Sequence, residues 1–209
     1  NRADSWAHHA VAHVMEMQGR IADGVAWMEG LSDTWEGCNS FMLGHNWWHT
    51  ALFYLDFSDV RRVRQIHDDH VWGLDKTYSQ DQASSASLLW RMEIRGIDVG
   101  NRWQDLADHV EGRVGEHVQP FLDLHYLYAL ARAERWNKVD EMLASMVAHA
   151  ANAPAVARMA WTQVAVPAAR GLAAYGRGDY EGAYESLNTA TPRLQEIGGS
   201  HAQRDLFVQ

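Results

Sequence analysis

The spacing of four histidines raises the first chemical question. His9 and His13 are four apart, and so are His45 and His49. On a helix, each pair stands on one face, a turn apart. Two imidazoles so placed can chelate a transition metal such as zinc, with neighbouring helices supplying further ligands. Kept neutral near pH 7, the same rings can instead hydrogen-bond a small polar ligand or a peptide terminus, or pass protons. A third reading is structural: partly buried histidines bonded to carbonyls or carboxylates across a helix interface. No His-Glu-x-x-His string is present, and Glu16, three residues beyond His13, need not share its face. The expected site is therefore a metal-free polar pocket, with no cofactor favoured. His9, His13, His45 and His49 are the ligand candidates for zinc or a similar ion.

Other residues extend this candidate groove. Trp6, Trp47, Trp48 and Trp90 offer apolar walls. Arg91 can clamp a carboxylate bidentately or pair with Glu93, and Arg170 has the same two choices. His125, beside Asp123 and Tyr126, is expected to face the groove from a later helix. His67, Asp68, Asp69 and His70 read as a solvated back face. His109, His117 and His149 read as surface or helix-end residues. Cys38 follows Gly37 with no basic neighbour to activate its thiol. Gly-x-Ser-x-Gly, phosphate-cradling and dinucleotide-binding strings are absent, which disfavours nucleotide chemistry.

The elements that must position these residues are helices. Helical periodicity runs through most of the chain, and strand alternation is nearly missing. About eleven helices are expected, over 4–18, 21–35, 39–57, 59–72, 81–95, 102–114, 119–134, 136–150, 155–177, 180–197 and 200–209. Tight breaks near Gly19, Ser58, Gly96, Arg135 and Gly178 predict antiparallel neighbours. The stretch from Gly171 to Ala190 reads small residue, aromatic, Gly-Asp-Tyr turn, then Ala183, Leu187 and Ala190 at spacings of four and three. That is the tetratricopeptide pattern, in which Gly171 and Ala183 let two helices approach closely. Weaker copies begin near Gly19, Ser58 and Glu134. The expected fold is all-α, a right-handed superhelix of antiparallel helix pairs, in one domain over 1–209.

Composition excludes several function classes. The chain has 209 residues with 18 Lys plus Arg against 27 Asp plus Glu, a formal charge of −9. No basic stripe is present to attract phosphates or an anionic membrane surface. No apolar run approaches the ~20 residues of a spanning helix. The single Cys excludes an internal disulfide and fits a reducing compartment, so a cytoplasmic location is expected. The chain opens on Asn and ends within what reads as a new helix, which suggests a piece of a longer protein.

Three strings carry a resemblance: His9-Ala10-Val11-Ala12-His13-Val14-Met15-Glu16-Met17-Gln18-Gly19-Arg20, then Gly24-Val25-Ala26-Trp27-Met28, then His45-Asn46-Trp47-Trp48-His49-Thr50-Ala51-Leu52. With Gly198 to Asp205, they resemble the tetratricopeptide-repeat protein 38 family. The resemblance implies a helical-repeat fold, a missing N-terminal portion and no assigned molecular activity. The expected function is a binding scaffold whose concave face holds a peptide or small polar molecule. His9, His13, His45, Trp48, His49, Trp90, Arg91 and His125 would line that face. The alternative is a hydrolase- or lyase-like enzyme using the same histidines, with or without a transition metal. A homodimer formed through unpaired end helices is a further expectation.

Overall fold

A computed structural model describes residues 2–209. It is all-helical, and no strand occurs among the described residues. Among the described residues, no helix is long and apolar enough to cross a membrane. The residues group into two compact units, 1–99 and 100–209.

The first unit contains α1 (Ser5–Met17), α2 (Ile21–Glu29), α3 (Ser40–Asp56), α4 (Val60–Ile66) and α5 (Ser79–Ile94). Asp4 caps α1 by accepting from Ala7 N at 3.1 Å, and Asn39 caps α3 by accepting from Met42 N at 2.9 Å. These short polar side chains satisfy amides that have no partner inside the helix. α1, α2 and α3 pack mutually, and α3 also packs on α4 and α5. Consequently α3 is buried along most of its length, including His45, Trp48, His49 and Phe53. Gly24 permits the α2–α3 contact: a Cβ there would lie 2.4 Å from the Phe53 ring. The expected helix 21–35 stops at Glu29 and gives way to a 3₁₀ turn, Ser32–Thr34. Beyond α4, His67–Val71 forms a π-turn rather than more α-helix.

The second unit contains α6 (Arg102–Val110), α7 (Pro120–Arg132), α8 (Trp136–Asn152), α9 (Ala155–Ala160), α10 (Val166–Gly176), α11 (Tyr180–Ala190) and the single turn α12 (His201–Arg204). α9 and α10 are joined by a second π-turn, Trp161–Ala165. The Gly171 to Ala190 pattern forms the close helix pair expected of it. A Cβ at Gly171 would lie 2.6 Å from Leu187 Cγ and 3.1 Å from the Ala183 carbonyl. Asp179 caps α11 through Gly182 N at 3.0 Å. The expected helix 180–197 ends at Ala190, with Thr191–Ile197 continuing as 3₁₀. Pro192 lacks the amide that another α-turn would use.

Five helix-ending turns share one construction. Gly19, Ser58, Gly96, Glu134 and Gly178 have left-handed backbone, with φ of 65°, 59°, 74°, 57° and 79°. The next residue's amide donates back to the carbonyl five before it, as in Arg20 to Met15 and Asp59 to Tyr54. Ile97 to Met92, Arg135 to Leu130 and Asp179 to Ala174 repeat the bond. This closure satisfies carbonyls at the helix end and reverses the chain. It explains why the turn signals recur at nearly regular intervals.

Candidate functional site

Facing histidine pairs form the candidate centre. His9 and His13 project from α1, and His45 and His49 project from α3. Ring centroids are 4.5 Å apart for His9–His13, 4.4 Å for His13–His49 and 4.9 Å for His9–His45. His9–His49 and His45–His49 are also at 4.9 Å. His45 and His49 are buried, whereas His9 and His13 are half-buried. The cluster therefore opens to solvent on its α1 side.

The hydrogen bonding within the cluster is incomplete. Nε2 of His9 and Nε2 of His13 share one contact of 3.0 Å, which uses a single proton. His49 Nδ1 meets Glu16 Oε2 at 3.2 Å. His49 Nε2 and His45 Nδ1 are buried and have no hydrogen-bond partner. Burying such nitrogens costs about 1–3 kcal/mol each unless something else binds them. Ligand atoms of His9, His45 and His49 lie within 4.8 Å of one another, as do those of His13, Glu16 and His49. A tetrahedral site with Zn–N bonds near 2.0–2.1 Å needs nitrogens about 3.4 Å apart, so modest inward motion suffices.

Electrostatics hold these rings neutral, the form that binds a metal. Burial, reinforced by His13, pushes His9 down to about 4. Burial also lowers His13, against an opposing pull from Glu16. His45 is driven well below the usual imidazole range by burial and then by His49, His9 and His13. His49 follows through burial, His13, His9 and Arg91. Around this core, His45 stacks between Phe41 at 5.0 Å and Trp48 at 5.3 Å. The buried Arg91 guanidinium lies over the Trp48 ring at 5.7 Å.

Not every expected groove residue joins this cluster. Trp47 stacks on His70 at 4.1 Å, and Trp6 is largely exposed while meeting His9 edge-on at 5.8 Å. Trp90 is buried in α5. His125 belongs to the second unit. Its Nδ1 donates to the Phe121 carbonyl at 2.7 Å, and the ring packs on Phe121 and Phe207. Arg170 is exposed, and Cys38 is half-buried just before the α3 cap.

Three sequence readings need correction. Glu16 does reach the cluster, because α3 carries His49 to the side of α1 where Glu16 stands. His67 is buried, not on a solvated face: the π-turn directs its ring to Ser85 Oγ at 2.9 Å. His117 is likewise buried, with Asp123 Oδ2 at 2.6 Å and Ser145 Oγ at 2.7 Å. The sequence separation of Ser145 from His117 gave no local signal for that contact.

No family model matches the chain, and no solved structure matches it.

Proposed function

We propose that the first unit holds a divalent transition metal of the zinc class at the α1–α3 contact. His9, His45 and His49 would be the ligands. The carrying observation is the pair of buried, unpartnered nitrogens, His45 Nδ1 and His49 Nε2, in a cluster whose rings are held neutral. Glu16 would orient His49 by accepting from Nδ1, the role a carboxylate plays behind many metal-bound imidazoles. His13, half-buried and bonded to His9, would stand at the open side, where it can exchange protons with a bound water. A three-histidine set with one position left for solvent is the arrangement of catalytic zinc rather than closed structural zinc. A metal there would act as a Lewis acid toward water, and hydrolysis or hydration is the reaction class this supports.

Metal content of purified protein, followed by cobalt(II) and zinc(II) titration of the chelated protein, tests this reading. One equivalent should bind, cobalt should show the d–d absorption of a four-coordinate site of three nitrogens and one water, and His49→Ala should abolish both. Full occupancy by neither ion, with no thermal shift, overturns it.

A second reading is favoured by one separate observation. An open cleft of about 390 Å³ in the second unit is lined by Tyr175, Tyr180, Tyr184, Leu187 and Phe207. A tetratricopeptide-like scaffold that holds an extended peptide would use this aromatic surface rather than the histidines. Amide shifts on titration with aromatic-rich peptides, confined to the end of α10, α11 and the C-terminal turn, would support it.

A further inference from the structure

In the second unit, His117 joins a carboxylate to a serine. Its Nδ1 meets Asp123 Oδ2 at 2.6 Å, and its Nε2 meets Ser145 Oγ at 2.7 Å. An ionised Asp123 fixes the tautomer: Nδ1 carries the proton and Nε2 accepts from the serine hydroxyl. We propose that Ser145, His117 and Asp123 form an acyl-transfer centre that cleaves esters of small apolar acids, without a metal.

Four observations support this. First, the Ser145 hydroxyl is aimed at the imidazole rather than at its own helix. Thr50, Thr162 and Thr191 instead donate to the carbonyl four residues before them, the usual outlet for a mid-helix hydroxyl. Second, His117 has φ of 47°, and it is the only described non-glycine residue with positive φ outside the repeated helix-ending turns. Histidine tolerates that region better than most residues, but holding it there in a short loop still costs energy. Such backbone strain clusters at functional sites. Third, Asp123 is buried, and burial raises its carboxyl to about 6 even though His117 pulls the other way. It is ionised at neutral pH and protonates in mild acid. Fourth, the serine is reachable. Ser145 is half-buried, Val118, the residue after His117, is 75% exposed, and Gly115 presents backbone rather than a side chain next to Oγ. His149 and Trp161 flank His117 at 5.0 and 5.8 Å and give the site an aromatic wall.

The first unit supplies an internal contrast. His67 joins Asp68 Oδ1 and Ser85 Oγ, each at 2.9 Å, but Ser85 and His67 are fully buried. No ester can reach that serine, so residue types alone do not make the site.

The chemistry balances without a further reagent beyond ester and water. Ser145 Oγ bonds to the acyl carbon as its proton passes to His117 Nε2. The carbon–oxygen bond to the alcohol then breaks, and the alcohol leaves with that proton. Water repeats the sequence on the acyl-serine, releasing the acid and restoring the hydroxyl. Asp123 acts as a positioning residue throughout.

The full chain should be treated with a fluorophosphonate probe and, separately, with p-nitrophenyl acetate at pH 8. The expected result is covalent label on the peptide containing Ser145. Turnover should be insensitive to chelator, which separates it from the metal reading. Ser145→Ala should lose the label and at least tenfold of the turnover, while Ser85→Ala should keep both. Asp123→Asn should lower kcat at least tenfold at pH 8 with KM little changed, and Asp123→Glu should restore part of it, a pattern that merely loosened packing would not produce. Wild-type mapping needs no variant to fold. Absence of label at Ser145, or equal labelling in His117→Gln, overturns the proposal.

Discussion

At the α1–α3 contact, four imidazoles meet with nitrogens left over; at the α7–α8 contact, one imidazole has both nitrogens taken. Both histidine sites are buried or nearly so, and both include a carboxylate. They differ in how many proton donors and acceptors surround each ring. In the first unit, Glu16 bonds His49 and also acts on His13, while His9 and His13 meet nitrogen to nitrogen. In the second, Asp123 and Ser145 bracket His117. Facing imidazoles with nitrogens to spare suit an ion that binds several of them. A ring between an acid and an alcohol suits proton transfer.

The sharpest way to break this contrast is to remove a leftover nitrogen. His45→Leu should abolish metal-induced stabilisation, about 2.7 kcal/mol at a hundredfold excess over Kd. The metal-free protein should keep or raise its melting temperature, because an unpartnered buried nitrogen has gone. Paired thermal scans with and without zinc read both effects. If metal-free His45→Leu unfolds several degrees earlier, the nitrogen was already satisfied.

Next comes the carboxylate. Glu16→Gln should weaken metal affinity by about 10–100-fold, by isothermal titration, while leaving one equivalent bound. An unchanged affinity would remove Glu16 from the centre.

The pH response of the chelated protein has a definite sign. His9, His13, His45 and His49 are lowered on folding, so the unfolded chain binds more protons between pH 6.5 and about 4. Their contribution is present above 6.5 and is lost as pH falls through that window. Asp81 and Asp123, each raised to about 6 mainly by burial, act oppositely and gain on acidification. The wild type should lose stability from pH 6.5 to 4 in urea titrations. A His45→Leu/His49→Leu variant should show a flatter profile.

The smallest effect belongs to the second region. Ser145→Ala leaves His117 Nε2 without its hydrogen bond and should cost about 1 kcal/mol, a shift of about 2–4 °C in melting temperature.

The all-helical class was legible from periodicity, and the shared face of each histidine pair from spacing. Helical periodicity gave the elements, and a separation of four put each imidazole pair on one face. Gly171, Ala183 and Leu187 announced a close helix pair because only a missing side chain permits that approach. Long-range contacts were not legible. Glu16 finds His49 from 33 residues away, and His117 finds Ser145 from 28, through packing that no local pattern encodes. The π-turn at His67–Val71 also escaped, because one additional residue per turn leaves the periodicity almost intact while rotating His67 inward. His8 shows the limit of counting histidines. It adjoins His9, yet its Nδ1 accepts from Trp35 Nε1 at 3.1 Å on another side of α1, as an ordinary core residue.

The bare backbone of Gly24 has a consequence for the distant imidazoles. Phe53 nests against it, and α1, α2 and α3 share one corner of the first unit. A single methyl group at Gly24 would wedge α2 off α3 and, through α2, tilt α1 across the gap that separates the paired rings. On the proposed metal reading, the spacing of the paired rings, and with it the ionic radius they would accept, depends on a residue that offers no ligand.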